Sequence, residues 1–174
     1  MLHVGCGLIN HPHFINIDAY PYPHVHFVRD IRSPRMWESS AADLIYACHV
    51  LEHLERSVVS SVLSNWCRFL KRGGVLRLSV PDFDALLYIY ERCGRNVSEI
   101  APPLMGGQIN RLDFHRSVYN RAFLRNLLVD VGFREVREWD PLNCVHHDFN
   151  DWANFCWSVD GEKIPISINF EAFK

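Results

Sequence analysis

Gly5-Cys6-Gly7 follows a short apolar run, Leu2–Val4, as it would where a buried strand stops and the backbone must bend sharply. Two small residues at such a bend let the main chain come close to a ligand. Asp18 closes the next apolar stretch and Asp30 the one after it, so two carboxylates stand at consecutive strand ends behind the glycine pair. A carboxylate at the second strand end can accept both hydroxyls of a ribose, and one at the third can accept an exocyclic amine. Cys48-His49 follows the fourth strand. Together these residues suit a ligand that contains adenosine. They do not suit a nicotinamide dinucleotide. Its GxGxxG fingerprint needs glycine where Asn10 stands, and its acid lies about 20 residues further on, whereas Asp18 is 11 beyond Gly7.

The histidines carry a second set of readings. His49-Val50-Leu51-Glu52-His53 matches the HxxEH pattern of inverted zinc metallopeptidases, where histidines at i and i+4 on one helix bind metal beside a glutamate. A stoichiometric zinc on His49 and His53 would carry that reading. Asp113-Phe114-His115-Arg116 lies in a region that hangs over the ends of strands four and five, so His115 is the histidine best placed to touch a substrate there, with His49 second. If a proton must be taken from an acceptor, the candidates are His115, His49 and Asp82, in that order. Arg111, Arg116 and Arg121 flank the same region and could orient an acidic acceptor. Exposed loop positions are the expectation for His11, His13, His24, His26, His146 and His147.

These residues need a frame. The chain has 174 residues, 48% hydrophobic, enough apolar material for one core and one domain over 1–174. Lys plus Arg number 18 and Asp plus Glu 20, a net charge of −2 that argues against a general electrostatic grip on nucleic acid or an anionic membrane. Only three of the cations are lysines. The six cysteines form no CxxC pair and read as reduced thiols, and the opening residues show no charged stretch leading into an apolar one, so the expectation is a soluble cytoplasmic protein. Strands are predicted at 2–4, 14–18, 25–28, 43–47 and 75–80, with a helix over 51–70 stopped by Gly73. A helix over 82–93 leads into an irregular insert at about 94–117. A helix capped by Asn120 and stopped by Gly132 precedes strands at 133–139 and 164–173, with loop or a short helical turn at 146–154. Alternating strands and crossovers imply an α/β fold with a mostly parallel sheet.

Placed on this frame, the motifs resemble the class I S-adenosylmethionine-dependent methyltransferases, and more narrowly the small methyltransferase type 11 kind. LHVGCG looks like the family's first strand and loop, NIDA its second motif, VRDI the adenine end, DLIYACHVLEHL the fourth strand and following helix, and LRNLLVDVGFREV the helix and strand before the terminal hairpin. The resemblance implies a Rossmann-like sheet ordered 3-2-1-4-5-7-6, last strand antiparallel, with helices on both faces. It implies that Gly5, Cys6 and Gly7 cradle the methionine part of the cofactor. Asp18 with Ala19 would hold the ribose, Asp30 and Ile31 the adenine, Cys48 and His49 would also touch the cofactor, and without a metal His49 and His53 would face its sulfonium end. The implied activity is methyl transfer to a small-molecule acceptor, with no metal assigned. Some metal-dependent methyltransferases hold a divalent ion with ExxEH plus a later histidine; here His49 stands at the first glutamate position, Asp113-Phe114-His115-Arg116 falls in the region of the later histidine, and the site such a resemblance implies is richer in nitrogen.

The chain departs from the resemblance in two places. Glycine is missing from the third position of the loop, and only six residues separate Gly7 from Phe14, too few for a helical crossover. The first crossover must be a bare loop. The chain also begins at strand one, without the helices that often cover such a site, so a lid borrowed from a second copy in a homodimer is a further expectation. Tyr20, Tyr22 and Trp37 could line a small-molecule cleft or a dimer contact. The alternative in a different class is a non-catalytic module that binds S-adenosylmethionine or another adenosine ligand.

Overall fold

Alternation along two long strands sets the architecture. In β5 (Leu70–Pro81) Leu76, Leu78 and Val80 are wholly buried in the main core, and by the two-residue period Val75, Arg77 and Ser79 belong to the opposite face. In β4 (Ala42–Cys48) Ile45 and Ala47 join that main core, while Leu44, Tyr46 and Cys48 pack into a second cluster. The computed structural model describes residues 1–32 and 40–174, so Trp37 lies outside the described residues.

With strands numbered along the chain, β1 (Leu2–Val4), β2 (Ile15–Asp18), β3 (Phe27–Val28), β6 (Glu135–Glu138) and β9 (Ser167–Phe173) complete a seven-stranded sheet ordered β3-β2-β1-β4-β5-β9-β6. β9 runs antiparallel to β5 and to β6, and the remaining neighbours are parallel. The order matches the sequence-based expectation, with β9 as the seventh strand of the sheet.

The main core receives α1 (Arg56–Phe69) and α4 (Arg121–Asp130), whose buried positions Val59, Val62, Leu63, Trp66 and Leu124, Leu128 recur at three- and four-residue spacing. Asn120 caps α4 by accepting from the Phe123 N–H at 3.0 Å, and Gly132 follows it at φ +111°, both as expected. The opposite face carries no crossover helix between β1 and β2. Trp139, Phe149 and Ala153 instead pack on Phe14, Leu44 and Tyr46, with Trp152–Asn154 forming one 3-10 turn. α2 (Phe83–Arg92), capped by Asp82, makes a third cluster with the hairpin of β7 (Cys156–Val159) and β8 (Glu162–Pro165). Among the described residues no helix is long and apolar enough to cross a membrane.

Four expectations change. The helix predicted over 51–70 is broken: Leu51–His53 is a single 3-10 turn, Leu54 is extended, and α1 starts at Arg56. The cause is tertiary. The Glu52 carbonyl accepts the N–H groups of Arg116 and Ser117 at 2.7 and 3.1 Å, and the Leu54 carbonyl accepts the Ser117 hydroxyl at 3.0 Å, so these carbonyls bond to a distant segment and not along a helix. Gly73 does not stop a helix; it lies inside β5 at φ +76°, where the pairing with β4 shifts register between Ala42 and Leu44. The insert at 94–117 is partly regular, with a 3-10 turn at Val97–Glu99 and α3 (Ala101–Met105). Finally, the strand predicted over 164–173 divides at Ile166: β8 pairs with β7 in a hairpin turned by Asp160-Gly161, at φ +50° and +82°, while β9 pairs with β5 and β6 in the main sheet.

Candidate functional site

β1 and β4 are adjacent and parallel, yet the strands beyond them lead away in opposite directions, which makes their carboxyl ends the switch point of the sheet. A cavity of about 620 Å³ opens there. Its walls include Gly5 and Gly7 after β1, Asp18, Ala19 and Tyr20 after β2, Asp30, Ile31 and Arg32 after β3, and His49 and Val50 after β4. Asp18 and Asp30 therefore border one hollow.

The glycine turn is built as tightly as its residue types allow. Gly5 has φ +65°, and a Cβ on it would lie 2.4 Å from Cγ2 of Val50. Gly7 has φ +53° with nothing near its missing side chain, and its N–H donates to Oδ2 of Asp18 at 2.8 Å. The other carboxylate oxygen of Asp18 accepts the Tyr20 N–H, also at 2.8 Å. Asp18 thus ties the first loop to the end of β2 and still has unused lone pairs. Asp30 is engaged by Arg32, whose Nε stands 2.9 and 3.0 Å from its two oxygens, and that side-chain hydrogen bonding holds the carboxyl below its usual range.

The two cysteines stand behind this wall. Cys6 is buried, and burial pushes its thiol up to about 12; Cys48 packs in the second cluster, where burial raises its thiol well above the usual value. Neither thiol side chain is among the residues that line the cavity.

On the far wall His49 sits at φ +51°, its Nε2 within 2.8 Å of the Ser167 hydroxyl and its ring stacked on Trp152 at 5.6 Å. Burial drops its pKa to about 3, so the imidazole is neutral. His53 also lines the cavity, and its pKa is lowered by burial. His115 does not line it. Its ring lies against that of His53 at 4.8 Å and borders a void of only about 10 Å³ beside α2 and α3, with its pKa lowered to about 4 by burial first and His53 second. Beneath the three rings is Glu52, 1% exposed, with Oε1 3.4 Å from His49 Nδ1 and 3.8 Å from His115 Nε2. Neither of its oxygens has a hydrogen-bond partner among the described residues, and burial pushes its pKa up to about 8.

This geometry does not support the HxxEH helix. His49 lies ahead of the 3-10 turn in a left-handed conformation and His53 ends that turn, so the two histidines are not one helical turn apart on a common α-helix. Of the three arginines near the insert, Arg111 and Arg116 reach the cavity wall, while Arg121 is bound to Asp82 and Glu138. Arg116 pairs with Glu55 at 3.0 Å.

Tyr20 and Tyr22 line the cavity, one of the two placements the sequence leaves open for them, and the Tyr20 hydroxyl donates to Asn110 at 2.7 Å, joining the end of β2 to the insert. Other contributors were not legible in the sequence. Trp152 arrives from the covering loop, with no spacing signal to mark it. His147 is not an exposed loop residue: it is 5% exposed and held by the Pro141 carbonyl at 2.7 Å, the Tyr46 hydroxyl and Asp151. His24 also has a defined place, Nε2 to the Gly7 carbonyl at 2.9 Å.

Comparison with known proteins gives the fold its setting. No family model and no curated protein matches the sequence. Among solved structures, a SAM-dependent methyltransferase from Archaeoglobus fulgidus is similar at TM-score 0.57 and 16% identity, over 92% of this chain and 76% of that one. A methyltransferase from Burkholderia thailandensis, bound to 1,6-didemethyltoxoflavin and S-adenosylhomocysteine, is similar at 0.54 and 12%, over 92% and 60%. A possible exported protein from Bordetella parapertussis is similar at 0.58 and 14%, over 92% of this chain and about half (53%) of that one. The chain has the fold of the class I methyltransferases.

Proposed function

We propose that this chain binds S-adenosylmethionine in the cavity at the β1/β4 switch point and transfers its methyl group to a small-molecule acceptor. The observation that carries the reading is the convergence of the glycine turn, Asp18 and Asp30 on one hollow of about 620 Å³ in a sheet of methyltransferase order. The residues fit the group. Gly5 and Gly7 leave main chain where a side chain would intrude. Asp18, already fixed by two backbone N–H groups, has lone pairs left for two ribose hydroxyls. Asp30, oriented by Arg32, can accept an amine, with Ile31 beside it for the flat face of a base.

When bound, the cofactor supplies a methyl group on an electron-poor sulfonium, open to in-line displacement. The chain's own share of such a reaction is positioning, which can supply roughly 7–11 kcal/mol of the barrier without any nucleophile on the protein. Tyr20, Tyr22 and Trp152 give the cavity apolar and aromatic walls that exclude water from an acceptor. His49 lines the cavity as a neutral imidazole, and with its pKa held near 3 by burial it can contact an acceptor but is a poor base for its proton. His115, ranked first from sequence, reaches the cavity only through His53 and serves that segment better as a positioning residue. Arg111 reaches the wall with no ion-pair or hydrogen-bond partner among the described residues, which favours an acceptor that carries an acidic group.

A screen of small acidic acceptors with methyl-labelled donor tests the reading. Label transfer that Asp18→Ala abolishes and Arg111→Ala weakens supports it; donor binding without transfer to any acceptor favours the non-catalytic module.

A further inference from the structure

A carboxylate with no partner inside a protein is expensive to keep. Glu52 is 1% exposed, and neither of its oxygens is hydrogen-bonded among the described residues. Around it stand two imidazoles from separate parts of the chain. One ligand atom each from Glu52, His53 and His115 lie within 4.8 Å of one another. We propose that these three side chains bind a divalent first-row transition-metal ion, with the open coordination positions facing the large cavity.

The local structure prepares each ligand. The 3-10 turn Leu51–His53 turns Glu52 inward and His53 toward the cavity, and its register is locked by the Arg116 and Ser117 N–H groups on the Glu52 carbonyl. Nδ1 of His53 meets the Phe114 carbonyl at 3.3 Å, which places the proton of the neutral ring on Nδ1 and leaves Nε2 as the electron-pair donor. His115 is held from both sides: its N–H donates to the Met105 carbonyl at 3.0 Å, and Gly106, where a Cβ would meet the Asp113 carbonyl oxygen at 2.4 Å, lets the insert fold back beside it. Its Nε2 is the nitrogen nearest Glu52.

Two nitrogens and one carboxylate oxygen suit Zn²⁺, Co²⁺, Mn²⁺ or Fe²⁺ more than Mg²⁺ or Ca²⁺, which favour oxygen shells. Bonds of about 2.0–2.2 Å put tetrahedral ligand atoms roughly 3.4 Å apart, so from separations of at most 4.8 Å the set would contract by up to about 1.4 Å, within the reach of side-chain torsions. His49 stays outside the ligand set, because its Nε2 is engaged by Ser167 while its Nδ1 faces Glu52 at 3.4 Å. His53 borders the cavity and His115 the void behind it, so an ion between them has cavity on one side only.

Metal binding to the full-length chain, stripped with chelator and free of nucleotide, tests this directly. Zn²⁺, Mn²⁺ and Co²⁺ are each titrated by calorimetry with elemental analysis, and Co²⁺ is followed by its visible ligand-field absorption. The expected result is one ion per chain. Glu52→Gln, nearly isosteric, and His115→Ala should each weaken binding by more than the roughly 10–100-fold typical of losing an outer-shell partner, and both should remove the Co²⁺ band. A competing surface pair exists where Nδ1 of His13 lies 3.4 Å from Nδ1 of His146. Binding lost in His13→Ala/His146→Ala but retained in Glu52→Gln overturns the proposal, as does no binding of any of the three ions at up to about a hundred times the protein concentration. No nucleotide is present, so either failure leaves the methyl-transfer reading standing.

Discussion

Replacing Gly5 with alanine separates two physical effects that the same residue absorbs. The backbone at φ +65° costs an L-residue about 1–2 kcal/mol. A Cβ 2.4 Å from Cγ2 of Val50 is far inside contact distance, and forcing buried groups apart costs typically about 1–3 kcal/mol more. Gly5→Ala should therefore lower unfolding free energy by about 2–5 kcal/mol. Gly7→Ala, at φ +53° with nothing within 4 Å, should lose only the first contribution, about 1–2 kcal/mol. Urea unfolding of Gly5→Ala, Val50→Ala and the double variant forms a cycle in which the overlap should appear as a favourable coupling of about 1–3 kcal/mol, while the backbone share persists in the double variant. Equal losses at Gly5 and Gly7, or a coupling below about 0.5 kcal/mol, would refute the geometry assigned to this turn.

Two further predictions follow from buried polar groups. Asp18→Ala strands the Gly7 and Tyr20 N–H groups, each worth roughly 1–3 kcal/mol if left unpaired, so its melting temperature should fall well below that of Asp18→Asn, which keeps one acceptor oxygen; matching melting curves for the two variants would contradict this. His3 is 2% exposed, its pKa depressed to about 4 by burial, so between pH 6.5 and 4 the unfolded chain binds the proton that the folded chain refuses. Stability is therefore intact above pH 6.5 and drops by about 3 kcal/mol on this account as pH falls to 4. His3→Phe, among Phe14, Tyr46 and Phe149, should flatten that acid limb, leaving the share of His49 and His115; parallel limbs for variant and parent in denaturant titrations at pH 4, 5, 6 and 7 would show that His3 titrates freely.

How far the sequence reveals the molecule depends on how local each cause is. The parallel strands announce themselves as apolar runs ending in glycine or aspartate, and Asn120 and Gly132 mark α4 correctly because caps act within one turn. The periodicity over 51–70 is real and predicts a single helix, while the break at Leu54 comes from Arg116 and Ser117, some sixty positions away. Asp160-Gly161 is a hairpin turn signal that the strand predicted from 164 leaves out, and β7 before it carries no alternation strong enough to announce a partner for β8. Asp18 and Asp30 could be placed at one hollow from strand ends alone, but the Arg32 clamp on Asp30 could not. The insert hid most. The ExxEH-plus-later-histidine resemblance groups His115 with Glu52 and His53, but the insert's irregular composition does not show the fold-back at Gly106 that brings His115 there, or that Tyr20 reaches Asn110.

The adenosine grip is the claim on which the function rests, and calorimetric titration with S-adenosylhomocysteine measures it without requiring an acceptor. The account predicts one molecule bound per chain, with affinity lost in Asp18→Ala and reduced in Asp30→Ala. Absence of heat with both S-adenosylhomocysteine and S-adenosylmethionine, from protein shown to be folded, would contradict it.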